Sequence, residues 1–107
     1  MNGILNLFFR IFKRYKKREI INKLSKISKG KVIYGLYKTM KLDTYSKFSG
    51  DLPSKILGIY EEQVQKKILE INKNKKIKYL INFGAADGYH VIGLIKKKIF
   101  KKAIAFE

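Results

Sequence analysis

The last thirty residues constrain the fold most, because they place a strand, a glycine turn, a helix and a second strand in direct succession. Residues 78–83 form a short and almost continuous apolar run, which is typical of a buried parallel strand. The glycine turn follows at once at 84–88, and residues 89–99 then carry apolar side chains at helical spacing. A second apolar run at 103–106 predicts the next strand. This order predicts a βαβ unit in an α/β fold.

The residues of this turn indicate a ligand site. Gly84 lets a strand end and a helix begin without a clash from Cβ, and Gly88 allows a ligand or the next strand close to the backbone. Free N–H groups at a helix start can hold a carboxylate or another polar group. Glu107 ends the second strand 19 residues after Gly88, where a carboxylate can accept hydrogen bonds from two ribose hydroxyls. The spacing therefore predicts a ligand that contains a nucleoside.

Two common nucleotide-binding turns do not fit this sequence. A dinucleotide turn requires G-x-G-x-x-G/A, but counting from Gly84 gives Ala86 and then Tyr89, so the third small residue is missing. A P-loop requires Gly-Lys-Ser/Thr, which does not follow the turn. The turn is therefore a poor match to the sites that hold a pyrophosphate or a triphosphate.

The stretch 82–89 instead resembles motif I of class I S-adenosylmethionine (SAM)-dependent methyltransferases, and most closely the FkbM-like form Asp-x-Gly-Ala-x-x-Gly-Tyr. Upstream, residues 35–40 are similar to a G-x-Y-K-x-M strand of these bacterial enzymes, and residues 57–61 to their L-G-x-Y-E helix. The resemblance covers residues 31–107, strongly only over the last thirty. It implies a Rossmann-like sheet, a SAM cofactor and O-methylation of a small molecule or glycan.

The resemblance assigns cofactor-binding roles to Asn82, Gly84, Ala85, Gly88 and Glu107. Gly84, Ala85 and Gly88 would line the methionine part of SAM through backbone contacts, and Glu107 would bind the ribose hydroxyls. Asn82 stands where the family usually has an acid that helps to hold the amino group of the cofactor, so a lower affinity is expected. No catalytic residue is assigned. No metal site is expected, since the chain has no cysteine and one histidine.

Other side chains near the turn are expected to have structural roles. Asp87 is predicted to cap the following helix rather than to bind a ligand. His90 is predicted to be structural or exposed, and a catalytic base is the less favoured alternative. Tyr89 and Tyr60 are predicted to pack in the core rather than to stack on a cofactor.

The first thirty residues predict a basic amphipathic helical segment. Apolar side chains recur at steps of three and four, namely Ile4, Leu5, Phe8, Ile11, Phe12 and Tyr15. Six Lys and Arg residues lie between positions 10 and 18, in a chain whose net charge is +17. Two interpretations are open: residues 4–27 bind an anionic membrane surface or nucleic acid, or the helix packs on its own protein, which is favoured. Nucleic acid is the less favoured partner, since Lys outnumbers Arg 22 to 3.

The sequence predicts three parts: the basic segment 1–30, a cap at 31–73, and the start of a SAM-binding domain at 74–107. The cap is expected to contain one or two short strands at 31–42, a loop at 43–52 and one helix from Pro53 to about Asn72, with Asp51 as its cap. The buried side of that helix would be Ile56, Leu57, Tyr60, Val64, Ile68 and Ile71.

The expected location is cytoplasmic, with peripheral membrane contact through residues 4–27 as the alternative. A class I methyltransferase sheet needs more strands than the two predicted here. The chain is therefore expected to be an N-terminal fragment, a frame-shifted gene product or a half that depends on a partner. It is expected to lack methyltransferase activity alone.

Overall fold

The computed structural model describes residues 2–44 and 50–107. These residues form α1 (Asn2–Ser28), α2 (Leu52–Leu57), α3 (Glu62–Lys75), β1 (Tyr79–Phe83), α4 (Tyr89–Lys96) and β2 (Lys102–Phe106). The two strands are parallel, and α4 lies between them in the chain. The fold is therefore mixed α/β, as predicted, and both predicted strands begin within one residue of the observed ones.

The two-stranded sheet has one covered face and one open face. The strands pair from Tyr79 opposite Lys102 to Phe83 opposite Phe106. Leu80 packs against the main core, whereas alternate side chains point to the other face and are largely exposed: Tyr79, Ile81, Phe83, Ile104 and Phe106. The rings of Phe83 and Phe106 stack there with their centroids 5.1 Å apart. The prediction that the first strand is buried is wrong for this face, because nothing in the described ranges covers it.

The main hydrophobic core joins the 31–42 segment to α4. Its buried members are Val32, Tyr37, Met40, Tyr89, Leu94 and Phe100. The rings of Tyr37 and Tyr89 meet edge to face at 5.1 Å, a geometry that aromatic pairs prefer. Tyr89 is only 3% exposed, which confirms its predicted packing role. This core places the start of α4, and with it the glycine turn, against the loop segment 31–42.

A second, smaller core joins the end of α1 to α2. Ile21, Leu52 and Ile56 are buried together, with Leu24 and Ile33 partly buried against them. Residues 3–18 of α1 are all exposed. The predicted N-terminal helix is thus present, but packing on the body of the protein holds only for its second half.

The 31–42 segment folds as turns rather than as the predicted strands. Its ends form an isolated antiparallel bridge between Lys31 and Lys41. Gly35 and Thr39 adopt left-handed backbone conformations, with φ of 79° and 75°. These two reversals break the alternation of side chains that a strand requires and turn Tyr37 into the core. The β-prone side chains therefore serve the core from a compact loop.

The single helix predicted from Pro53 to Asn72 is two helices. α2 ends at Leu57, where Gly58 in the left-handed conformation (φ 83°) forms its C-cap, and α3 begins at Glu62. A left-handed glycine after the last helical residue is the usual way to end a helix. The break turns two predicted core residues outward, since Val64 and Ile71 are 47% and 40% exposed.

The start of α2 agrees with its prediction in part. Pro53 lies in the first turn, as predicted. Asp51 precedes the helix, but its side chain makes no capping hydrogen bond and instead contacts the ammonium of Lys55 at 3.1 Å. Residues 45–49 of the predicted loop lie outside the described residues. Across 2–44 and 50–107, no helix has both the length and the apolar character needed to cross a membrane.

Candidate cofactor site

The glycine turn contains three left-handed residues. Gly84, Ala86 and Gly88 have φ of 70°, 48° and 76°. For Ala86, which has a Cβ, this conformation costs about 1–2 kcal/mol. A Cβ built on Gly84 would meet no atom within 4 Å, whereas one on Gly88 would lie 3.1 Å from Ile92 Cδ1. Gly88 is thus explained by its backbone conformation as the N-cap of α4, while the space in front of Gly84 is open.

The end of β2 holds the first half of the turn. The backbone carbonyl of Phe106 accepts the N–H groups of Gly84 and Ala85 at 2.8 and 3.0 Å. The Glu107 carboxylate accepts the Ala86 N–H at 2.5 Å. The acid predicted from spacing therefore reaches the turn, but these amides are not free for a ligand, because parallel pairing brings the end of β2 directly beside them.

The second half of the turn is closed by its own residues. The Gly88 N–H donates to the Ala85 carbonyl at 2.8 Å, and the Tyr89 N–H donates to Asp87 Oδ1 at 3.1 Å. Asp87 thus accepts from a first-turn donor of α4, but the N-cap residue is Gly88 and not Asp87 as predicted. The prediction that free amides here would hold a ligand carboxylate is wrong for the five turn amides with these partners.

A cleft of about 380 Å³ opens beside the turn, within the range of roughly 300–1,000 Å³ for small-molecule pockets. Asn82, Gly84 and Ala85 are among its lining residues, and Gly88 and Glu107 are not. Its opposite wall comes from α2 and the start of α3, with the residues just before each helix, and carries three charged side chains: Asp51, Lys55 and Glu61. The glycine turn adds a fourth, Asp87.

Lys55 is a buried cation on this wall that the sequence analysis did not single out. Its side chain is 7% exposed, and its ammonium contacts Asp87 Oδ2 at 2.6 Å and Asp51 Oδ2 at 3.1 Å. It also lies 4.8 Å from the centre of the Tyr60 ring. Burial alone would lower the pKa of Lys55, but the hydrogen bonds and charges of Asp87 and Asp51 raise it above its usual value. Lys55 therefore ties α2 to the glycine turn as a cation.

A chain of three side chains lies beside the same cleft. The Tyr37 hydroxyl is 3.0 Å from His90 Nδ1, and His90 Nε2 is 2.7 Å from Glu61 Oε2. Burial raises the pKa of the Tyr37 hydroxyl, so that it keeps its proton. In the tautomer with its proton on Nε2, His90 donates to Glu61 and accepts from the Tyr37 hydroxyl at Nδ1. His90 is thus held on both ring nitrogens, which supports its predicted structural role.

Replacing Lys55 with methionine is expected to lower the free energy of unfolding by about 1–3 kcal/mol, since two carboxylates lose their shared partner. The loss is below that of a fully buried pair because Asp87 is 55% exposed and stays hydrated. Urea unfolding of the variant measures it. The matched control is Lys66→Met, which breaks the exposed ion pair with Glu62 and should cost at most about 1 kcal/mol.

The pH dependence of the stability difference between the wild type and Lys55→Met separates a loss of charge from a loss of packing. Because the folded pKa of Lys55 lies above its ordinary value of 10.5, its charge stabilises the fold fully below that pH and progressively less above it. The stability gap between the wild type and Lys55→Met should therefore narrow as the pH rises past 10.5. A gap that stays constant across this range would contradict the electrostatic role.

Comparison of the chain with protein-family models, with curated proteins and with solved structures finds no match. The interpretation of the cleft therefore depends on the geometry and chemistry of its own residues.

Proposed function

We propose that residues 79–107 form the first βαβ unit of a Rossmann-like, class I SAM-dependent methyltransferase fold, and that SAM binds to the cleft together with Glu107, which lies outside it against the lining residue Ala86. The observation that carries the proposal is the contact between Glu107 and the Ala86 N–H. Through this contact, Glu107 at the end of β2 lies against the glycine turn that follows β1. This is the relation that a site for a ribose and its attached group requires.

The charges at the cleft suit this cofactor. SAM carries two cationic groups, the ammonium and the sulfonium, and one carboxylate. The cleft has three carboxylates, those of Asp51, Glu61 and Asp87, while its one ammonium, that of Lys55, is already held by Asp51 and Asp87. The Asn82 side chain, at the end of β1, adds an amide that can accept a hydrogen bond. The predicted residues Gly84 and Ala85 would contribute backbone surface, and Gly88 would act through the shape of the turn.

Glu107 would bind the ribose with acceptor positions that its Ala86 contact leaves over, since a carboxylate has about four such positions. When bound, SAM supplies a methyl group from its sulfonium to an acceptor hydroxyl of a small molecule or glycan. The protein would contribute mainly by positioning the two reactants. The described residues offer contacts for the methionine and ribose parts, so we expect weaker than micromolar affinity and no methyl transfer by this chain alone.

The test is a titration of the ¹⁵N-labelled chain with millimolar SAM, followed by NMR. We expect saturable shifts of the Gly84, Ala85 and Ala86 amides. Glu107→Gln keeps an acceptor for the Ala86 N–H but removes the charge, and should weaken binding about tenfold, as expected for a charge-assisted hydrogen bond. The matched control is Glu70→Gln, an exposed acid on α3, which should leave binding unchanged.

Two results would contradict the proposal. One is the absence of saturable shifts at the turn, and the other is equal affinity for Glu107→Gln and Glu70→Gln. Binding of tritiated SAM at low-micromolar affinity would support the site but would contradict the weak affinity that we expect of this chain alone.

A further inference from the structure

The first half of α1 carries a large apolar surface that nothing in the described ranges covers. We name residues 3–18 the arm. Eight of its large apolar side chains are each more than half exposed: Ile4, Leu5, Leu7, Phe8, Phe9, Ile11, Phe12 and Tyr15. Isolated exposed apolar residues are ordinary, but a contiguous set of this size marks an interaction surface.

The arm has an apolar side and a basic side. Ile4, Phe8, Ile11 and Tyr15 follow one another at steps of four, three and four, which places them on one side of the helix. Arg10, Arg14 and Lys17 follow at steps of four and three, and helix geometry places that row about 120° around the helix from the apolar one. The arm therefore has an apolar row and a separate basic row, with aromatic and branched aliphatic side chains in the first and cations in the second.

The apolar side of the arm faces away from the rest of the protein. The basic row continues along α1, at the same steps, into Ile21 and then Leu24. These two residues pack on α2. The side of α1 that contacts the body is thus the continuation of the basic row, and the apolar side, about 120° around the helix from it, points outward. Docking of that side therefore requires no rearrangement of the core that joins α1 to α2.

We propose that the arm docks on the surface of an anionic lipid bilayer, with its apolar side in the interface and its cations at the head groups. The argument for this partner is charge complementarity. Six Lys and Arg residues lie between positions 10 and 18, and no acid precedes Glu19. An interfacial helix combines this polar side with an aromatic-rich apolar one, and anionic lipids attract each cation near their surface.

The same observations disfavour two other occupants. A second copy of the chain would bring two sets of six cations together, and their repulsion opposes association. Nucleic acid would engage the cations through phosphates but would leave the outward-facing Phe8 and Phe12 rings in water. A bilayer surface satisfies both sides of the arm at once.

Vesicle sedimentation of the full chain tests the docking. We expect vesicles of equal parts phosphatidylglycerol and phosphatidylcholine to bind at least about tenfold more tightly than phosphatidylcholine alone. Phe8→Ser with Phe12→Ser should weaken binding to the anionic vesicles about 100-fold. The control Ile27→Ser, a 73% exposed residue of the same helix beyond the arm, should change binding less than twofold. Equal binding by the double variant, or equal binding to both vesicle types, would overturn the proposal.

A second measurement locates the contact without removing it. The chain has no tryptophan, so Phe8→Trp and Ile27→Trp each introduce a single tryptophan, which can be excited apart from the tyrosines, at an exposed site of α1. Brominated phosphatidylglycerol should quench the fluorescence of Phe8→Trp and leave that of Ile27→Trp unchanged. If Phe8→Trp is not quenched but single-stranded DNA or a second copy of the chain shifts its emission, the arm has a different partner and the proposal is wrong.

Discussion

Replacing Gly58 with alanine is expected to lower the free energy of unfolding by at least about 3 kcal/mol, the largest effect we expect from a single methyl group in this chain. Gly58 has φ of 83°, where a residue with Cβ is strained. A Cβ there would overlap the carbonyl oxygen of Tyr34 and lie 2.7 Å from its carbonyl carbon. Because the obstacle is backbone, no rotation of a side chain can relieve the contact.

Urea unfolding followed by circular dichroism measures this effect. The matched control is Gly3→Ala in the arm, where a Cβ meets nothing within 4 Å. It should leave stability unchanged or raise it by up to about 1 kcal/mol through helix propensity. If the free energies of unfolding of Gly58→Ala and Gly3→Ala differed by less than about 1 kcal/mol, the close approach of the Tyr34 backbone would not be what requires glycine at position 58.

Gly58 also shows why part of the fold could not be predicted from sequence. A glycine within a helical stripe is usually tolerated, so the stripe from Ile56 to Ile71 predicted one helix. What ends α2 is the close approach of the Tyr34 backbone, a contact between residues far apart in the chain. The prediction of strands at 31–42 is wrong for a related reason. The left-handed Gly35, rather than strand pairing, sets where the β-prone side chains of this segment point.

The βαβ unit was predictable because its signals are local. Each of its elements follows from hydrophobic spacing and from glycine over a few residues. The exposure of one face of β1 could not be predicted, because an apolar run shows what a strand can bury but not which of its faces are covered. The run at 78–83 is compatible with a strand packed on one face or on both.

In the candidate site, too, the residues recognised by local spacing were predicted and those brought together from distant parts of the chain were not. Spacing predicted that Glu107 would bind ribose hydroxyls, and its carboxylate lies against the turn at Ala86; Asn82, Gly84 and Ala85 line the cleft. Lys55 and the Glu61–His90 pair were not predicted, because each joins residues about thirty positions apart: Lys55 and Asp87 are separated by 32 residues, and Glu61 and His90 by 29. The available signal was the Asp51 and Lys55 spacing of four, which is also common on solvated helices.

The second large effect is expected at Gly93, on the buried side of α4. Gly93→Ala should lower the free energy of unfolding by about 2–3 kcal/mol, although alanine favours an α-helix over glycine by about 1 kcal/mol. A Cβ there would lie 2.5–2.7 Å from three ring atoms of Tyr37. That ring is 1% exposed, and its hydroxyl is hydrogen-bonded to His90 Nδ1. It therefore cannot move aside without breaking the bond that orients the imidazole beside the cleft.

A double-mutant cycle separates this overlap from a general intolerance of α4. Tyr37→Ala removes the ring atoms that the new methyl group would meet, so in that background Gly93→Ala should cost less than about 1 kcal/mol. The measurements are urea unfolding of the four chains and ¹⁵N shifts of the His90 ring. Gly93→Ala alone should change those shifts, because the displaced Tyr37 hydroxyl no longer holds Nδ1. An equal cost in both backgrounds would mean that the Tyr37 ring does not set the requirement for glycine.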